Sequence, residues 1–149
     1  MSTNPYVGLR PFDSKESLLF FGRNDQTLDL LQRLHEHHFV AVVGSSGSGK
    51  SSLVRAGLIP ALKAGYLVED SDKWHIAIMK PGQHPVYNLA ESILEQLSLN
   101  PESKVIARLS DKIEDEGADA ILDLITPVIQ DKNSNFFLLI DQFEELFRF

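Results

Sequence analysis

The residues with the clearest chemistry lie at positions 44–51, where the sequence is GSSGSGKS. This segment matches the pattern G-x-x-x-x-G-K-[S/T] at every fixed position. Glycines let the backbone approach a phosphate closely, and successive backbone N–H groups then form an anion-binding nest. In such a loop the Lys50 ammonium reaches the β- and γ-phosphates and the Ser51 hydroxyl ligates Mg²⁺. We therefore predict that ATP and Mg²⁺ bind here, and Lys50 is also a predicted catalytic residue. The predicted nucleotide contacts of this segment are Gly44, Ser45, Ser46, Gly47, Ser48, Gly49, Lys50, Ser51 and Ser52.

A second acidic group follows an apolar run near the end of the sequence. Residues 136–140 are FFLLI, and Asp141 comes next. A buried strand that ends in aspartate places the carboxylate at the carboxyl edge of a sheet, where ligands bind in open α/β folds. We predict that Asp141 holds Mg²⁺ through its water shell, the arrangement called Walker B. Hydrolysis also needs a group that orients or deprotonates water, and Glu144 and Glu145 are the candidates. The alternative is that these acids only begin a solvated helix.

These groups need elements that bring them to one edge of a sheet. Short apolar runs predict buried strands, and apolar residues at helical spacing predict helices between them. The predicted strands are 39–43, 74–79 and 136–140, and the predicted helices are 25–34, 51–59, 85–97, 101–109 and 118–130. Pro60 should kink or end the second helix, and Pro127 should interrupt the last one, because proline lacks an N–H. The alternation of strands and helices predicts an α/β fold with a parallel sheet covered on both faces. Taken with the P-loop motif, the fold class that we predict is a three-layer P-loop NTPase core.

The chain divides by composition into an arm and a domain. Residues 1–24 contain scattered proline and glycine and predict an irregular N-terminal arm, and residues 25–149 predict a partial P-loop NTPase domain. The sequence stops soon after the acidic cluster, so we expect a fragment truncated after the Walker B strand. We expect the strand edges of this incomplete sheet either to come together or to pair with another copy of the chain.

Composition excludes several classes of function. The 149 residues have a formal net charge of −7 and no cysteine. An acidic chain is a poor candidate for sequence-independent nucleic-acid binding, and without cysteine there are no disulfides or zinc–thiolate sites. No apolar run approaches the length of about 20 residues that a membrane span needs, and the N-terminus lacks the pattern of a secretory signal. We expect no membrane partner, no nucleic acid and a cytoplasmic location.

Four longer segments resemble a known family. They are NPYVGLRPF, FFGRNDQTLDLL, VVGSSGSGKSSLVRAGLIPAL and LLIDQFEELF. Together they resemble the novel STAND NTPases, relatives of the NACHT and AAA+ proteins within the P-loop superfamily. The resemblance implies a nucleotide-dependent switch in a large signalling protein, with a C-terminal part that often carries sensor repeats. It also implies self-association on activation. ATP hydrolysis should be slow and regulatory in the full-length protein, and absent or very weak in this chain alone.

The resemblance also assigns residues. Gly22 and Arg23 should lie near the adenine and ribose. Asp141 should be the Mg²⁺ aspartate. Of the paired acids, Glu145 should occupy the catalytic position rather than Glu144.

Three other functions fit parts of the same pattern. A small-molecule kinase would need an acceptor site and a lid, but no arginine-rich lid segment is evident. A GTPase would need an Asn-Lys-x-Asp element, which does not occur in these residues. A non-hydrolysing interaction module would not need the intact Lys50 and Ser51. We therefore favour the ATP-dependent switch and keep the others as alternatives.

Overall fold

The structure, a computed structural model, describes residues 22–66, 73–97, 101–132 and 134–147. The predicted arm lies outside these ranges except for residues 22–24. The chain divides into two compact units, Met1–Asp72 and Lys73–Phe149. The P-loop belongs to the first unit, and Asp141 belongs to the second.

The first unit has helices before and after the P-loop. They are α1 (Asn24–His37), α2 (Lys50–Ser52), a π-helix (Leu53–Leu58) and α3 (Ile59–Lys63). The predicted helix at 25–34 is confirmed and continues for one further turn. Leu30 and Leu31 of α1 are buried, because α1 packs against the π-helix.

Pro60 does not end the helix that follows the P-loop, so the predicted end near Ile59 is wrong. The N–H of Ile59 bonds to the carbonyl of Val54, the wider spacing of a π-helix. This wider turn shifts the hydrogen-bond register just before the proline. Pro60 therefore takes a position in the first turn of α3, where its missing N–H costs little.

The predicted buried strand at residues 39–43 does not form. Among the described residues no strand pairs with this segment, and the side chains of Phe39 and Val43 are 79% and 90% exposed. An apolar run favours a strand only where a neighbouring backbone supplies the other half of the ladder. The segment is therefore left without ladder bonds within the part of the chain that the structure describes.

The second unit contains a two-stranded parallel sheet whose strands are joined through three helices. Its elements are β1 (Trp74–Met79), α4 (Pro85–Gln96), α5 (Ser103–Glu116), α6 (Ala118–Lys132), β2 (Asn135–Ile140) and a 3₁₀-helix (Phe143–Phe147). The register pairs Trp74 with Asn135 and Met79 with Ile140. Both strands therefore end at the same edge.

The core of the second unit lies between its helices and beneath the sheet. α4 packs against β1 and α5, and α6 packs against α5 and β2. One buried cluster joins α4, α5 and α6, and a second brings α4 and α6 against Phe136 of β2. The clusters are formed by Ala90, Leu94, Ile106, Ile113 and Ala120, and by Ile93, Leu97 and Ile125.

Two helices of this unit are longer than predicted. α5 runs on to Glu116 because Ile113 continues its buried face, and it ends before Gly117. α6 continues through Pro127, so the predicted interruption is wrong. Pro127 is exposed, so its ring displaces no core contact and the helix loses only a backbone bond on its solvent side.

The fold class is thus confirmed in its coarse form, a mixed helix and strand architecture with a parallel sheet. The described sheet has two strands, and the three-layer core stays a prediction. In the described ranges, no helix is long and apolar enough to span a membrane.

Candidate functional site

The P-loop connects residues 39–43 to the start of α2. Gly47 and Gly49 have φ angles of 77° and 82°, in the left-handed region that glycine adopts without strain. The N–H of Ser48 donates to the carbonyl of Ser45 at 3.3 Å, which closes the loop near its tip. Lys50 is the first residue of α2, one residue before the predicted start of this helix. The loop therefore turns back on itself and delivers Lys50 to the beginning of a helix.

The Lys50 side chain folds over this loop. Its ammonium donates to the carbonyls of Gly44 and Ser45, with Nζ–O distances of 2.8 and 2.9 Å. An ammonium has three N–H groups, so these two bonds still leave a donor for a phosphate oxygen. The charge thus lies where a phosphate-binding loop needs it.

Arg23 approaches the same loop from the residue before α1. Its Nη2 and Cζ atoms lie 3.6 and 3.7 Å from the position that a Cβ atom would take at Gly49. The structure therefore places the guanidinium beside the P-loop. Gly22, which precedes it, is exposed.

A groove of about 760 Å³ runs between α1 and the segment that leads into the P-loop. Small-molecule sites typically have volumes of about 300–1,000 Å³. Polar and cationic groups line the groove at the P-loop, and both apolar and charged side chains line the rest. The lining includes Arg23, Gly44, Ser45, Ser48 and Lys50 at the P-loop, and Leu30, Phe39, Val40 and Val42 together with Gln26, Asp29, Arg33 and His37 elsewhere.

The α1 wall of this groove also contains an ion pair. The Nε of Arg33 donates to Oδ2 of Asp29 at 2.8 Å. This hydrogen bond lowers the pKa of the Asp29 carboxyl and raises the pKa of Arg33. Both groups are exposed to solvent, so the pair keeps the two charges fixed on the helix surface and adds little stability.

In the second unit, Asp141 lies at the carboxyl edge of the parallel pair. It follows β2 directly and is buried, with 9% exposure. Its N–H donates to the carbonyl of Met79 at 2.9 Å, which extends the β1–β2 pairing by one step. The prediction of a strand that ends in this aspartate is therefore confirmed.

The two candidate acids that follow have different surroundings. Gln142 has a φ angle of 59°, and this turn leads into the 3₁₀-helix. Glu144 is exposed, whereas Glu145 is half-buried. Oε2 of Glu145 accepts a hydrogen bond from the N–H of Gly82 at 3.1 Å. Glu145 is thus tied to the loop that follows β1.

Sequence reasoning missed this loop. Nδ2 of Asn88 donates to the carbonyl of Pro81 at 2.9 Å and to the carbonyl of Lys80 at 3.3 Å. The Pro81-Gly82 pair indicates a turn. Nothing in the local pattern indicates that its N–H contacts an acid 63 residues further along the chain.

The predicted donors are of the chemical type that Mg²⁺ takes. Within the described ranges, no group of three or more His, Cys, Asp and Glu residues could hold a metal ion. Mg²⁺ usually takes only one or two protein ligands together with substrate phosphates and waters. The Ser51 hydroxyl in the first unit and the Asp141 carboxylate in the second unit are each an oxygen donor of this kind.

The predicted residues therefore form two groups. Residues 44–51 and Arg23 come together in the first unit, with Ser51 and Ser52 half-buried in α2 and Ser46 exposed. Asp141 and Glu145 lie at one edge of the sheet in the second unit.

One comparison with known proteins gives a match. The model of the family described as Novel STAND NTPase 1 matches residues 5–149. This match confirms the resemblance found in the four sequence segments. Among curated proteins there is no match, and the solved structures give none.

Proposed function

We propose, from the premise that this chain belongs to the novel STAND NTPase 1 family, that it is the ATP- and Mg²⁺-binding part of a signalling switch. Membership of the family indicates a nucleoside-triphosphatase switch module. We further propose a three-layer P-loop core and slow, regulatory hydrolysis in the full-length protein.

The observation that supports this proposal most is the convergence of two cations on the P-loop. Lys50 bonds to the carbonyls of Gly44 and Ser45, and the Arg23 guanidinium lies beside Gly49. Two cations beside a loop that leads into the start of a helix suit a polyphosphate, because the phosphate oxygens can accept hydrogen bonds from both. An interaction module with a vestigial loop would have no need of this arrangement.

Each residue has a proposed role. The P-loop N–H groups and Lys50 bind the β- and γ-phosphates. Ser51 and Asp141 are the proposed ligands of Mg²⁺, which when bound neutralises phosphate charge. Glu145 orients or deprotonates the attacking water, and Glu144 is the second candidate for this role.

We also propose that the protein lies in the cytoplasm and self-associates on activation, with a C-terminal part that senses the trigger. These statements rest on the family resemblance. Light scattering of the intact protein with and without Mg²⁺–ATP tests the self-association. A mass that stays at one copy in both states, with the trigger present, would contradict it.

Calorimetric titration of ATP and of GTP, each with Mg²⁺ and with EDTA, tests the nucleotide site. We expect Mg²⁺-dependent ATP binding that weakens about 10- to 150-fold in Lys50→Ala, because a charge-assisted hydrogen bond is worth about 1.5–3 kcal/mol. Lys63→Ala is the matched control, since it removes an exposed ammonium from α3 and should leave the affinity unchanged.

Other results would change the proposal. Tighter binding of GTP than of ATP would favour the GTPase alternative. Equal affinity in Lys50→Ala and wild type would show that the P-loop is not the nucleotide site.

A further inference from the structure

The loops after β1 and β2 are joined by one hydrogen bond at the carboxyl edge of the sheet. The N–H of Gly82, in the loop after β1, donates to Oε2 of Glu145 in the 3₁₀-helix after β2. The strands beneath are parallel and in register, and the N–H of Asp141 bonds to the carbonyl of Met79. Glu145 is therefore attached to the same edge that fixes Asp141.

Asn88 fixes the loop from its other side. This residue lies in the first turn of α4, where its own N–H bonds to the carbonyl of His84 at 2.9 Å. Its side-chain amide donates to the carbonyls of Lys80 and Pro81, the two residues before Gly82. Pro81 is among the most deeply buried residues of the chain. The loop thus has a buried anchor and two hydrogen bonds from one amide.

The bond to Gly82 leaves most of the Glu145 carboxylate available. An ionised carboxylate has two oxygens with about four acceptor positions. One N–H occupies one position on Oε2 and fixes the orientation of the group. The remaining positions can accept a hydrogen bond from water.

We propose that Asn88 is a positioning residue, which acts through the N–H of Gly82 to hold the Glu145 carboxylate in the orientation needed for hydrolysis. This proposal rests on the function proposed above, in which Glu145 acts on the attacking water. Misplacement of a catalytic base by about 1 Å can lower turnover by about 100-fold. Substrate affinity depends on other residues, so the binding step should be unaffected.

Amide hydrogen exchange at Gly82, followed by NMR, tests the contact itself. Asn88→Asp keeps the size of the side chain but removes both donated hydrogen bonds. We expect exchange at Gly82 to accelerate about tenfold or more in Asn88→Asp and in Glu145→Ala. Glu144→Ala is the matched control, because the neighbouring acid is exposed and exchange at Gly82 should stay within about twofold of wild type. Unchanged exchange in Asn88→Asp would overturn the proposal.

Steady-state turnover of Mg²⁺–ATP by the intact protein tests the role. We expect Asn88→Asp to lower kcat by about tenfold or more with KM within about twofold. Glu95→Ala, an exposed change on the same helix, should alter neither constant. A raised KM with unchanged kcat would overturn the positioning role, as would wild-type values for both. If Asn88→Asp fails to fold, Asn88→Ser serves in both measurements with the same expected result.

The two proposals fail in different ways. If the wild-type protein does not bind ATP, or does not turn it over, the proposed function is contradicted and this inference fails with it. Suppose instead that the wild-type protein binds Mg²⁺–ATP and that Glu145→Gln stops its turnover. A normal kcat in Asn88→Asp would then contradict only the role of Asn88.

Discussion

Two cations lie at the phosphate loop, and they differ in what they can do. The Lys50 ammonium is a compact charge that bonds to carbonyls within the loop. The Arg23 guanidinium is a planar fork of N–H donors beside Gly49. A planar fork suits two oxygens of one phosphate. The position of Arg23 therefore favours a phosphate contact over the adenine and ribose contact that the family resemblance implies.

A series of ligands separates these two roles for Arg23. We expect Arg23→Ala to weaken ADP and ATP about tenfold, the loss of one charge-assisted contact, and to change adenosine affinity less than about twofold. Calorimetry or competition with a fluorescent nucleotide gives the affinities. Arg108→Ala, an exposed arginine on α5, is the control for charge alone. An equal loss of affinity for adenosine and for ATP would show that Arg23 contacts the adenine or ribose rather than a phosphate.

The paired acids differ in burial and partner, and this predicts different effects of neutralising each. Glu145→Gln should leave ATP binding intact and stop turnover in the full-length protein, because the amide cannot accept a proton from water. Glu144→Gln should retain turnover, since this side chain is exposed. Single-turnover hydrolysis and a binding titration measure the two effects. The opposite pattern would assign the base to Glu144.

Local sequence was enough to predict some of these residues. Lys50 and Asp141 were predictable because a loop motif and a strand ending are continuous in sequence. The Gly82–Glu145 contact was not, because it joins residues 63 positions apart and uses a backbone N–H that has no side-chain pattern. Arg23 was predicted to contact the nucleotide, but its position beside the P-loop depends on how α1 packs.

At the level of elements, two similar apolar runs had different outcomes. Residues 74–79 form β1 with the predicted bounds, because β2 lies beside them with matching register. Residues 39–43 have the same character but no partner strand among the described residues. Composition measures the tendency of one segment, whereas a strand is a property of a pair. The outcome at Pro60 also depended on a neighbouring element. The π-helix before it shifted the hydrogen-bond register, so Pro60 did not end the helix.

The packing of α1 against the π-helix depends on the absence of a side chain at Gly57. A Cβ atom there would lie 2.6 Å from Oγ1 of Thr27. We expect Gly57→Ala to destabilise the chain by about 1–2 kcal/mol, because the clash exceeds the gain in helix propensity. Thermal or urea unfolding measures the change.

A double-mutant cycle identifies the cause of that destabilisation. Thr27→Ala removes Oγ1, so the double variant with Gly57→Ala should be more stable than the sum of the single effects predicts. Additive effects would show that the loss comes from somewhere other than this contact.

On the scale of the whole molecule, the described segments differ in how many backbone hydrogen bonds they make to a neighbouring strand. β1 and β2 are paired along their full length, whereas residues 39–43 have no ladder. We expect the amides of residues 39–43 to exchange with solvent at least about 100-fold faster than the β2 amides that bond to β1, because only the bonded amides need an opening step. Hydrogen exchange by mass spectrometry on the two peptides gives the ratio.

The concentration dependence of the same experiment tests pairing between copies. Slow exchange at residues 39–43 that becomes faster on dilution would show that this segment pairs with a second chain in solution. Slow exchange that is independent of concentration would mean that residues 39–43 have a partner within the chain, and would contradict a segment without ladder bonds.

The lack of ladder bonds at residues 39–43 within the described ranges has a thermodynamic consequence, because this segment leads directly into the P-loop. We expect a bound polyphosphate to restrict the loop and, through it, the residues just before it. Covering the segment with another strand would restrict the same residues and reduce the ordering that nucleotide binding still requires. The two events are then cooperative, and linkage makes the coupling equal in both directions. Any partner that completes this ladder would raise nucleotide affinity by the same factor by which the nucleotide raises affinity for the partner.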